Sequence, residues 1–139
     1  MKKMISSKPT EDVLVKMNAA ADESINHFES HAVSLSDKER VGLRTMGNGR
    51  QGIVRSMSGI ALSFEECLPR TENATDLHQM LDYHISLNDL FIKVGKLYEM
   101  LRDTVSATGV DAIKTFDRYN NYFQTARNNN SALDLALQP

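Results

Sequence analysis

The chain has one cysteine, Cys67, among its 139 residues, and it has no long hydrophobic run. A single cysteine cannot form an intrachain disulfide, which suits a reducing compartment. No stretch approaches the roughly 18 apolar residues of a transmembrane helix, and the basic N-terminal residues are not followed by the apolar run of a signal peptide. We therefore expect a cytoplasmic protein that does not insert into membranes.

Signatures of common cofactor and catalytic sites are also missing from the sequence. No glutamate has a histidine three residues later, which excludes the Glu-x-x-His pairs of di-iron bundles, and Cys-x-x-Cys-His for covalent haem does not occur. There is no nucleophile elbow and no P-loop. Cys67 falls on an apolar stripe near a predicted helix C-terminus, which indicates a buried, unreactive thiol. We expect no enzymatic activity and no cofactor.

Charge is nearly balanced, with a formal net charge of −2, so the chain has no general attraction to nucleic acid or acidic membranes. One segment is locally basic and could contact phosphate or nucleic acid; its cations are Lys38, Arg40, Arg44, Arg50 and Arg55. The interpretation that we favour is a solvated face, with Arg50 paired to Glu99 or Asp103 on a neighbouring helix. Nucleic acid is therefore not the expected partner.

Apolar residues recur at steps of three and four along most of the chain, which is the period of an amphipathic helix. This pattern predicts helices over about 10–33, 37–67, 76–107 and 111–127. The predicted fold is all-α, an antiparallel four-helix bundle that forms a single domain over 10–130. Residues 1–9 are predicted to be a flexible lead, and residues 131–139 a short tail with one or two helical turns.

The second predicted helix has the clearest start signal in the chain, and in its middle the apolar periodicity and the helix propensity disagree. Ser36 and Glu39 form a capping box. The apolar stripe then continues in phase through Gly47 and Gly49, although each glycine costs about 1 kcal/mol in a helix interior. One long helix is the favoured prediction, and a break at Gly47, which would give five helices, is the alternative. Gly109 is predicted to end the third helix.

Two histidines are spaced as metal ligands often are. His27 and His31 lie four residues apart with Glu23 one turn earlier, so a helix would place all three on one face. The alternative, which we favour, is a pair of histidines at the boundary between core and surface near a helix C-terminus, where positive charge is favourable.

The run Leu35–Arg50, LSDKERVGLRTMGNGR, resembles a segment of small, uncharacterised bacterial all-helical proteins. The resemblance implies a bacterial helical domain and no particular activity. With the regular apolar stripes, it leads us to expect a non-enzymatic binding or assembly module whose partner is another protein or, in a homodimer, a second copy. A metal-binding bundle and a binder of phosphate or nucleic acid are the alternatives.

Overall fold

A computed structural model describes residues 2–47 and 49–139, and within these residues the chain is helical and contains no β-strand. The helices are α1 (Glu11–Phe28), α2 (Asp37–Gly42), α3 (Gln51–Ser63), α4 (Asp76–Ala126) and α5 (Ser131–Ala136). Single 3₁₀ turns cover Glu29–His31, Glu65–Cys67 and Arg127–Asn129. The predicted all-α class is confirmed, whereas the antiparallel four-helix arrangement is not.

The longest helix, α4, contradicts the predicted corner at Gly109. It runs without a break for 51 residues, which at 1.5 Å per residue is a length of about 76 Å. The predicted third and fourth helices are therefore one element. An isolated glycine costs a helix only about 1 kcal/mol, and no proline lies near Gly109 to add a second breaking signal.

The prediction of one helix over 37–67 is wrong, and the alternative of a break at Gly47 is correct. α2 ends at Gly42 and α3 begins at Gln51. Gly47 has a φ of 57°, in the left-handed region that glycine adopts without steric cost. The predicted start is confirmed, because the Ser36 hydroxyl accepts the Glu39 backbone N–H at 3.1 Å and donates to the Glu39 carboxylate at 3.0 Å.

Gly47→Ala is expected to lower the free energy of unfolding by about 1–2 kcal/mol, because a Cβ is strained in the left-handed region. Gly49→Ala is the matched control: its φ lies outside that region, and a Cβ there would meet no described heavy atom within 4 Å. Urea denaturation followed by circular dichroism measures both variants. Equal losses of stability in the two variants would contradict the role given to Gly47.

The chain forms two compact units, one from residues 1–18 and 96–139 and the other from residues 19–95. In the second unit, Val54 of α3 lies near Leu77 and Leu81 of α4, and the Leu81 side chain is only 2% exposed. In the first unit, Arg127 donates to the Asp134 carboxylate at 2.7 Å, which joins the 3₁₀ turn after α4 to α5. Ala74 and Leu81 are the buried hydrophobic side chains of the described residues.

Candidate functional site

A stripe of mostly apolar residues runs along α4, and we call it the α4 seam. Its residues alternate at steps of three and four through Leu77, Met80, His84, Leu87, Phe91, Val94, Tyr98, Leu101, Val105, Thr108, Ala112, Thr115, Tyr119 and Tyr122. Because α4 does not break at Gly109, this alternation continues through the region where two separate helices were predicted. A repeat of 3.5 residues is the pattern by which one helix packs lengthwise against another.

The central part of the α4 seam is exposed. Its five consecutive side chains from Phe91 to Val105 are between 45% and 75% exposed. The opposite face of the helix is mostly charged and also exposed: a seven-residue spacing places Asp82, Asp89, Lys96, Asp103, Val110 and Asp117 there. Large contiguous apolar surface is uncommon on a soluble monomer and marks sites of interaction.

The predicted inner faces of α1 and α3 are exposed as well. Met17 and Phe28 on α1, and Met57 and Ile60 on α3, are all exposed, although the sequence pattern predicts them to point into a core. Together with the α4 seam, they give the described residues several helix faces with exposed apolar side chains.

An apolar pocket of about 490 Å³ lies in the second unit, where α3 ends and α4 begins. Its lining includes Met57, Phe64, Cys67, Leu77 and Met80. The Cys67 side chain is exposed, so its predicted burial is wrong. The reason is that α3 ends at Ser63, which places the cysteine in a 3₁₀ turn rather than on the apolar face of a helix.

In the first unit, the N-terminal segment is attached to α4 through Asp111. The Met4 and Ile5 backbone N–H groups donate to its two carboxylate oxygens at 3.0 and 2.9 Å. These hydrogen bonds lower the pKa of Asp111, with Lys114 and Lys3 acting in the same direction and desolvation opposing them. The sequence pattern assigned Asp111 only to a helix start, since no local signal connects it to residues more than one hundred positions away.

The N-terminal segment lies beside the C-terminal half of the α4 seam. Residues 3–8, except Met4, line a groove of about 690 Å³ together with Thr108, Ala112, Thr115 and Tyr119. Three of these four seam positions carry small side chains, which leave room for an extended backbone. This part of the seam therefore already has an intrachain neighbour.

Asp111→Asn is expected to loosen the N-terminal segment, because an amide offers one acceptor oxygen to two N–H donors. In the wild-type chain, the folded-state pKa is lowered, so the carboxylate holds the segment at pH values above its ordinary pKa of about 3.9. This contribution is lost as the pH falls through the lowered folded-state value.

The measurement is a pH titration of the Met4 and Ile5 amide NMR signals. They are expected to shift as Asp111 protonates in the wild-type chain and in the control Asp117→Asn, and to show no such step in Asp111→Asn. A step that persists in Asp111→Asn would show that another group holds the segment.

The predicted metal ligands are only partly brought together. Glu23 and His27 are in contact, with 3.5 Å between Oε1 and Nε2. His31 lies in the 3₁₀ turn after α1 rather than in the same α-helix. Among the residues 2–47 and 49–139, no three His, Cys, Asp or Glu side chains are grouped to hold one ion. The three-residue metal site stays a prediction.

The predicted basic residues lie on three successive segments. Lys38 and Arg40 are on α2, Arg44 and Arg50 are between α2 and α3, and Arg55 is on α3. Arg40 pairs with Asp37 at 3.2 Å. Arg50 donates to the Thr45 carbonyl at 2.9 Å, so a backbone oxygen, rather than the carboxylate we expected, accepts from its guanidinium. Phosphate or nucleic-acid binding by this segment stays a prediction.

Comparison with protein-family models, with curated proteins and with solved structures found no match for the chain. The similarity of Leu35–Arg50 to bacterial helical proteins stays a prediction from sequence. Within the described ranges, no helix combines the length and the hydropathy needed to cross a membrane.

Proposed function

We propose that the chain is a non-enzymatic helical assembly module, and that helices of another polypeptide cover its exposed apolar faces. The observation that carries this proposal is the exposure, between 45% and 75%, of the five consecutive seam residues from Phe91 to Val105. Removing apolar surface from water contributes about 25 cal/mol per Å². Covering these five exposed side chains with a partner is therefore expected to contribute to the free energy of binding.

The spacing of the α4 seam favours a helical partner over other kinds. A small ligand is usually held in a concave pocket, whereas the seam is one face of a long helix. A 3.5-residue repeat keeps the same face toward a neighbouring helix over many turns. The partner chemistry that fits is another amphipathic helix.

The limited burial within the chain supports the same function. Most helical stability in proteins comes from packing of an apolar face, not from the helix propensity of the residues. In the described residues, Ala74 and Leu81 are the hydrophobic side chains that are buried. Contacts with a further polypeptide supply the packing that the long helix needs.

Two measurements on purified, tag-free protein test this function. Binding of a dye such as ANS reports apolar surface that stays uncovered, and the dependence of the thermal midpoint on protein concentration reports unfolding coupled to dissociation. We expect one or the other: a midpoint that falls on dilution, or a monomer that binds the dye. A monomer that melts at a concentration-independent temperature and does not bind the dye would show that the chain covers its own faces.

A further inference from the structure

We propose that the N-terminal segment and α4 together form a binding site for a small ligand that carries a diphosphate group. The site is a pocket of about 330 Å³ in the first unit, and we call it the basic pocket. Among the described residues, its lining includes four cationic side chains, those of Lys2, Lys3, Lys114 and Arg118. This inference does not depend on the helical partner proposed for the α4 seam.

The cations of the basic pocket come from two segments that are remote in sequence. Lys2 and Lys3 belong to the N-terminal segment, whereas Lys114 and Arg118 lie four residues apart on α4. The backbone hydrogen bonds to Asp111 hold the two segments together. Like charges four residues apart on a helix repel each other, and the N-terminal segment adds two more charges of the same sign. An anion bound between the segments would remove this repulsion.

The four cations have no carboxylate partner within residues 2–47 and 49–139. The ion pairs in this part of the chain, with nitrogen and oxygen within 4.0 Å, join other side chains. The described carboxylate that lines the pocket is that of Asp111, and its two oxygens already accept backbone N–H groups. With four positive charges and one negative charge, the described lining has a net charge of +3.

The two cations on α4 are restrained more than typical surface side chains. Lys114 is partly buried, although most lysines in proteins are exposed. The guanidinium carbon of Arg118 lies 5.9 Å from the centroid of the Tyr119 ring. Such a contact orients the guanidinium through the face of the ring, so its N–H donors stay free to bind an oxyanion.

The charge and the size of the basic pocket favour a diphosphate group. A phosphate monoester carries about −1.5 to −2 charges at pH 7, so two linked phosphates match the net charge of the lining better than one does. Ammonium and guanidinium groups bind phosphate oxygens through charge-assisted hydrogen bonds. The volume is near the lower end of the range for small-ligand pockets. Nucleic acid fits less well, because its binding uses an extended basic face and the whole chain has a net charge of −2.

Titration of the full, tag-free chain with sodium pyrophosphate, without divalent cations, tests the site. Isothermal titration calorimetry is expected to show one site per chain, with an affinity that falls as salt is added, because salt screens exposed charges. The Met4 and Ile5 amide NMR signals are expected to shift during the same titration, since the ligand would lie between their segment and α4.

Lysine variants on the two segments locate the site. Lys114→Gln and Lys3→Gln are each expected to weaken pyrophosphate binding at least about tenfold, because each removes a charge-assisted hydrogen bond. Lys96→Gln is the matched control: Lys96 lies on the same face of α4 five turns earlier, about 27 Å away, and does not line the pocket. Its affinity is expected to stay within about twofold of wild type. Circular dichroism checks that each variant is folded, and Lys3→Gln carries the test if Lys114→Gln is not.

Three results would overturn the basic pocket as a diphosphate site. They are the absence of heat and of amide shifts at millimolar pyrophosphate, binding that neither pocket variant weakens, and equal losses in the pocket variants and Lys96→Gln. Phosphatidylcholine vesicles that contain phosphatidic acid and a short DNA duplex are tested in parallel. A chain that binds either of them but not free pyrophosphate would assign these cations to a lipid surface or to nucleic acid and overturn the small ligand.

Discussion

Val105→Asp is expected to weaken the binding of the helical partner proposed to cover the α4 seam. The Val105 side chain is 67% exposed and lies on the α4 seam. Burying a carboxylate in an apolar contact without a counter-charge is costly. We expect a loss of at least about 3 kcal/mol of association free energy, which is more than a hundredfold in Kd. Light scattering during size-exclusion chromatography measures the change.

Val110→Asp is the matched control for this variant. Val110 is the same residue type on the same helix and is also exposed, but it lies five positions further on, about 140° around the helix from Val105. We expect the Val110→Asp variant to assemble as the wild type does. If both variants became monomeric, the effect would come from charge added to α4 in general and not from its apolar face.

Leu81→Ala is expected to destabilise the second unit by about 2–5 kcal/mol, because the substitution removes a buried side chain and leaves a cavity. Leu81 is 2% exposed, and it adjoins Val54 of α3 in the one well-buried part of α4. Leu62→Ala on α3 is the matched control, since Leu62 is 46% exposed, and its loss of stability is expected to stay below about 1 kcal/mol. Urea denaturation measured at one fixed protein concentration compares the two. A smaller loss for Leu81 than for Leu62 would contradict the packing of α3 on α4.

The fold class was predictable from sequence because the three- and four-residue apolar spacing extends over most of the chain. Local signals with a specific partner were also predictable: the pairing of Ser36 with Glu39 is observed as expected. The helix boundaries were less predictable from the sequence. Gly47 and Gly109 both carry the same weak breaking signal, and only Gly47 adopts a left-handed φ and interrupts the helix.

The candidate site was predictable in its residues but not in its environment. The stripe from Phe91 to Val105 follows from the sequence, whereas its exposure does not, because periodicity indicates which face is apolar and not what covers it. Asp111 could not be identified from the sequence as the residue that holds the N-terminal segment, since its two N–H donors come from Met4 and Ile5, which are remote in sequence.

Sedimentation equilibrium of the wild-type chain tests the central claim most directly. If another copy covers the apolar face of α4, the mass at micromolar concentration is expected to be twice the 15.6 kDa of one chain and to fall toward that value on dilution. A mass of 15.6 kDa at every concentration, from protein that also fails to bind an apolar dye, would contradict the account.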